Sequence, residues 1–238
     1  MGRYCGLLLL VLICSLLAGQ HPAGAEDCPR AAVSPSSWDY GYIPQKSIAS
    51  HVYYLHNAGS APLSVSKIDA GCACTRVSEI DDPIAPGDSV PVLVTFETGR
   101  YRKGVKKAAK IHTDDPKEAI HRLRYMAYVI KPGEATGNIL VMPQKLKWKI
   151  EEEAIVAGID TLRIDNNGID SVAIAIQNAP DDVVDRIDFP LALASGEQGN
   201  VLLQVTDCLP EKYTAPSLTL SFIGQDTTIV TIPIEIEK

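Results

Sequence analysis

Shifted by 109 residues, the chain lies on itself without a gap: Asn57-Ala58-Gly59 falls on Asn166-Asn167-Gly168. The same offset puts Tyr53 and Leu55 on Leu162 and Ile164, and Leu63 and Val65 on Val172 and Ile174. It puts Val92, Val94 and Phe96 on Val201, Leu203 and Val205, and Gly87-Asp88 on Gly196-Glu197. It continues through Ala109 and Ile111 on Leu218 and Leu220, and through Leu123, Tyr125 and Ala127 on Ile232, Ile234 and Ile236. A chain that repeats itself this way must build one unit twice. Within each copy the recurring apolar residues stand two apart, the period of strands with one buried face. Between them stand Asn-x-Gly, Pro86-Gly87 and Ser195-Gly196, which tolerate the positive φ of tight turns. Helical periodicity is scarce after the first 25 residues, so the expectation is all-β, two tandem sandwiches. In Ser50–Asn57 both faces carry large groups, and only the repeat selects an inward set: Tyr53 and Leu55, matched by Leu162 and Ile164. Ile130 to Asn138, broken by Pro132-Gly133 and Gly137, reads as the linker.

The N-terminus has another character. Met1-Gly2-Arg3 precedes an apolar run from Leu7 to Ala18, then Ala23-Gly24-Ala25 before Glu26, the layout of a secretory signal at 1–25. The run is shorter than the about 20 residues of a membrane span, and no later stretch approaches that length. Cys14 follows Ile13 inside the apolar run, which argues against lipidation. The expected product is an exported, soluble protein, periplasmic or extracellular, with one domain at 26–133 and another at 134–238. The first carries 14 basic and 12 acidic side chains, the second 7 and 17. So acidic a second half argues against a nucleic-acid partner for the whole molecule.

Leaving out Cys5 and Cys14 of the signal, Cys28, Cys72, Cys74 and Cys208 remain, an even number in a disulfide-permissive compartment, with three complete pairings open. Cys72 and Cys74, two apart in an extended segment, project to one side. They are candidates for a mutual disulfide, for separate bonds to Cys28 and Cys208, for buried thiols, or for a copper or zinc site. No cofactor is otherwise expected. A metal wants more ligands, and the nearest histidines, His51 and His56, have no diagnostic spacing. The repeat sets Asp181, Asp182 and Val183 opposite Cys72, Ala73 and Cys74, so the thiol pair is dispensable to the fold. Cys208 falls opposite Gly99, and a Cys28–Cys208 bond would pin the mature N-terminus to the second domain.

With these residues in view, the first repeat resembles a bacterial exported family of unknown function. Its signature runs aromatic-x-Gly, Asn-x-Gly-x-x-Pro-Leu, Cys-Gly-Cys-Thr, Pro-Gly-Asp/Glu and a late Gly. The counterparts are Tyr40-Gly41, Asn57-Ala58-Gly59-Ser60-Ala61-Pro62-Leu63, Cys72-Ala73-Cys74-Thr75, Pro86-Gly87-Asp88 and Gly104, with Ala73 where glycine is usual. That family is similar to the immunoglobulin-like modules of the Hydin (ASH) and major sperm protein type. The resemblance covers about residues 33 to 128 and implies an immunoglobulin-like sandwich, an export route and a binding or scaffolding role, but no reaction.

One more concentration of charge stands out. Arg100, Tyr101, Arg102, Lys103, Lys106, Lys107 and Lys110 form a basic run suited to anionic lipid, acidic glycan or acidic protein. The plainer reading is a solvated loop with lysines guarding a strand edge, and docking onto the acidic second domain is a further one. Signatures of hydrolases, metalloproteases and phosphate-binding loops are absent. The expectation is therefore a non-enzymatic binding or scaffolding protein of the cell envelope with a protein or glycan partner. The alternative is a thiol or metal protein acting through Cys72 and Cys74.

Overall fold

The computed structural model describes residues 27–151, 154–156, 159–180, 183–205 and 215–237. The expected signal sequence, the Asp181-Asp182 pair and Cys208 lie outside the described residues. Every described element is a strand. The first repeat contains β1 (Ala31–Ser34), β2 (Ser37–Pro44), β3 (Ile48–Asn57), β4 (Val65–Asp69), β5 (Thr75–Val77), β6 (Ser89–Glu97), β7 (Lys103–Thr113) and β8 (Ile120–Ile130). The second contains β9 (Ile139–Met142), β10 (Leu146–Glu151), β11 (Ala154–Val156), β12 (Ile159–Asn166), β13 (Val172–Asn178) and β14 (Val184–Asp188). It ends with β15 (Ala192–Leu193), β16 (Gln198–Val205), β17 (Ser217–Ile223) and β18 (Thr227–Glu237).

In the first repeat a sheet ordered β1-β3-β6-β5 faces one ordered β2-β8-β7-β4; in the second, β14-β16-β12-β9 faces β15-β13-β17-β18. Each pair of sheets closes on its own hydrophobic cluster. Tyr53, Leu55, Val92, Val94, Phe96, Ile111, Leu123 and Tyr125 fill the first, and Leu162, Ile164, Val201, Leu203, Leu218, Leu220, Ile232 and Ile234 the second. The inward set selected by the repeat is the buried one. Val65, Val172 and Ile236 are half-buried and pack against these clusters.

Asn57 and Asn166 explain why the turn motif recurs. Asn57 is fully buried and donates through Nδ2 to Ala61 O and Ile84 O, both at 2.9 Å, while its Oδ1 accepts from Gly59 N at 3.0 Å. Asn166 donates to Asp170 O at 2.9 Å and Leu193 O at 3.1 Å, and accepts from Gly168 N at 3.0 Å. The main chain repeats the pattern. Gly87 N reaches Asn57 O, and Gly196 N reaches Asn166 O, each at 2.8 Å. These partners sit at the same 109-residue offset, so one amide side chain ties the same three segments together twice. A buried amide is tolerated only because its donors and acceptors are met this way.

The two sandwiches share a seam. β18 pairs in parallel with β10 along Ile234–Glu237 and bridges to β2 at Val230↔Tyr42. Thr231 Oγ1 donates to Tyr40 O at 2.6 Å, and Tyr42 packs against the second cluster. Gly41 makes the approach possible: it has φ +58°, and a Cβ there would lie 2.1 Å from Ile229 O. The aromatic-x-Gly motif therefore serves the contact between repeats. The connection at Ile130–Asn138 is tied down too, by Gly133 N to Gln144 Oε1 and Gln144 Nε2 to Glu134 O, both 2.7 Å.

Candidate functional site at one edge of the first sandwich

Cys72 and Cys74 are joined by a disulfide in the turn that carries the chain from β4, at the rim of one sheet, to β5, at the rim of the other. Both residues are half-buried. With one residue between the cysteines, the loop they close is too short for the bond to add much by restricting the unfolded chain. A three-residue loop gives on the order of 1.5 kcal/mol, against about 4.7 for a loop of 100. Thr75 anchors the turn inside. Its backbone N donates to Cys72 O at 3.2 Å, its hydroxyl lies 3.2 Å from Cys72 Sγ, and it shares a hydrogen bond with the core Tyr125 hydroxyl. Cys74 packs against the hydrophobic cluster.

The structure brings this turn and the basic run together. Tyr101, which leans on Phe96 with ring centroids 6.2 Å apart, donates its hydroxyl to Cys74 Sγ at 3.6 Å. Lys107 Nζ sits 5.1 Å above the Tyr101 ring. Gln45 Nε2 holds the loop backbone by donating to Arg100 O and Tyr101 O at 3.2 and 2.7 Å. Arg102 pairs with Glu134 at 3.8 Å and Lys110 with Asp69 at 3.7 Å. Arg100, Lys103, Lys106 and Lys107 enter no ion pair among the described residues.

Strand pairing adds a third property. β7 is bonded to β8 from Lys103 to His112, but on its other side β4 covers only Lys110 to Thr113. Gly71 approaches Ala108 O closely, so the turn closes off the middle of the strand. Lys103 to Lys107 is left as an open edge beside the disulfide. The alternating pattern shows in its burial, with Val105 inside and Lys106 exposed.

The remaining candidates lie elsewhere. Cys28 is half-buried and has no disulfide partner among the described residues. Among the described residues no three His, Cys, Asp or Glu side chains are grouped to hold a metal ion, and in the disulfide neither Cys72 nor Cys74 offers a thiolate. His51 is stacked on Trp38 at 3.8 Å, without a partner for either ring nitrogen, and burial pulls its pKa down to about 4. His56 Nδ1 lies 2.9 Å from Ser89 Oγ at an exposed position. Sequence reasoning missed a shallow cavity of about 150 Å³ lined by Val33, Ser36, Glu118, His121, Arg122 and Arg124. Nothing in the spacing of those residues announces it, because it forms where the β1–β2 turn passes β8.

Residues 32–129 match the model of a family described as a protein of unknown function (DUF1573). No curated protein matches the chain. Among solved structures, it is similar to a protein of unknown function from Porphyromonas gingivalis W83, at 10% identity over 87% of this chain and 99% of that one, with TM-score 0.34. A second is the ASH/PapD-like domain 7 of human CEP192, at 16% identity over 46% of this chain and 92% of that one, TM-score 0.35. A third is the CupB2 chaperone of Pseudomonas aeruginosa, at 9% identity over 85% and 98%, TM-score 0.29. The architecture described above is all-β, with each repeat built as two facing layers of strands. No helix among the described residues is long and apolar enough to cross a membrane.

Proposed function

We propose that the chain is an exported, non-enzymatic binding protein of the cell envelope that holds an extended, acidic protein segment along the open edge of β7. In this reading residues 26–133 form the binding domain, and residues 134–238 a second, acidic domain fixed to it at the β2–β18 seam. The observation that carries the reading is the stretch Lys103–Lys107, which among the described residues has no strand partner on its outer side and is flanked by Tyr101 and by cations without ion-pair partners. An added strand satisfies the open backbone groups, and its acidic side chains meet Arg100, Lys103 and Lys106. Tyr101 adds a rigid, amphipathic contact of the kind that anchors interfaces.

The test is capture from an envelope extract by the wild-type protein and by a Lys103→Glu/Lys106→Glu/Lys107→Glu variant, at low and raised salt. Species retained by the wild type are expected to be lost by the variant and weakened by salt. Equal retention by both proteins overturns the reading.

A further inference from the structure

We propose that the Cys72–Cys74 disulfide is redox-active and exchanges with a dithiol reductant of the same compartment. Four features of its surroundings point the same way. The bond joins residues with one residue between them, so it contributes little to the fold, and the second repeat reaches the same framework with Asp181 and Val183 at the matching positions. Both cysteines are half-buried in a turn at the rim of the sandwich, not enclosed by the core. Hydroxyls lie beside both sulfurs: Thr75 at 3.2 Å from Cys72 and 3.8 Å from Cys74, and Tyr101 at 3.6 Å from Cys74 alone. Lys107 lies over the same Tyr101 ring.

These features assign roles to the two sulfurs. Cys72, the sulfur that does not hold the Tyr101 hydroxyl, takes the attack of a reductant thiolate. A bond forms between the reductant sulfur and Cys72 Sγ while the Cys72–Cys74 bond breaks, and the electron pair passes to Cys74 Sγ. The Cys74 thiolate accepts the Tyr101 hydroxyl hydrogen bond, which stabilises it as the leaving group. The reductant's second thiolate then attacks its own sulfur in the mixed disulfide and releases Cys72. Two electrons move to the protein, the reductant leaves as its disulfide, and its two protons end on Cys72 and Cys74.

The proposal does not rest on strand binding at β7. The test treats the native protein, without denaturant, with dithiothreitol and then with mixtures of reduced and oxidised glutathione. Alkylation and mass measurement report the state of the Cys72–Cys74 pair. The wild-type protein is expected to be reduced under native conditions and to equilibrate reversibly with glutathione. Tyr101→Phe removes only the hydroxyl from an exposed ring and is expected to slow reduction about fivefold, the weight of one hydrogen bond, while the circular dichroism spectrum is unchanged. A disulfide that opens only in denaturant overturns the proposal, and so does a Tyr101→Phe variant reduced at the wild-type rate. Either result leaves the capture experiment with the lysine variant unaffected, so the two readings fail separately.

Discussion

β7 and β17 occupy the same place in the two repeats, between equivalent neighbours, but differ in how far they run past them. β17 begins at Ser217, and from Thr219 to Ile223 it is paired on its outer side by β13. Asn178 Nδ2 reaches on to Ser217 O at 2.9 Å. β7 runs for 11 residues and has a strand partner on that side only over its last four. The framework around the two is the same, down to the hydrogen bonds of Asn57 and Asn166. Over the residues that match, both strands are covered, and β7 differs by the stretch Lys103–Lys107 that runs past its partner, whose counterparts at 212–216 fall mostly outside the described residues. The difference comes from what was added to the first copy: the disulfide turn, Tyr101 and a longer, basic β7. Shared residues hold the sandwich, and unshared residues are where activity should be sought.

The comparison can be broken most forcefully at the shared amides. Asn57→Ala and Asn166→Ala each remove the partner of a half-buried glycine N–H and of turn carbonyls that include the buried Ile84 O or Leu193 O. Each is expected to cost about 3 kcal/mol in denaturant unfolding. A large loss at one position with little at the other would mean that the repeat is sequence kinship without a common energetic role.

A smaller effect separates the copies by pH. His51 has no counterpart in the second repeat, where Asp160 stands, and burial holds its pKa near 4 in the folded protein against 6.5 when unfolded. Because the folded value is depressed, the neutral ring carries no penalty above pH 6.5. As pH falls toward 4, the unfolded chain takes up a proton that the folded one refuses, and stability declines. At about 1.4 kcal/mol per pH unit, reduced for partial solvation, the loss is on the order of 2 kcal/mol. His51→Phe keeps the stack on Trp38 and is expected to flatten this part of the pH profile. An unchanged profile would move the acid sensitivity to other groups.

The mildest change is at the disulfide. Cys72→Ser/Cys74→Ser is expected to cost about 1.5 kcal/mol and to leave the fold intact by circular dichroism, since the second repeat does without the pair. A collapse of the first sandwich would make the bond a structural staple.

Much of this fold was legible beforehand because it rests on local rules. Apolar residues two apart marked the strands, and Asn-x-Gly marked the turns. The self-match chose Tyr53 and Leu55 over their equally bulky neighbours, and both are buried. The seam was not legible. Tyr40-Gly41 reads as a motif, but only the fold shows Ile229 O arriving where a Cβ would be. For the site, the cysteines and the basic run were both visible as patterns. That Tyr101 touches Cys74 was not, since 26 residues lie between them and strands β5 and β6 must fold back to close the gap. Nor does composition tell an edge guarded by lysines from one that receives a partner, because both need the same charges.

Amide hydrogen exchange along β7 and β17, with and without the species captured from the envelope, tests the central claim most directly. The account predicts slowed exchange at Lys103–Lys107 on binding and no change from Thr219 to Ile223. Protection confined to the second repeat, or none along β7, would contradict it.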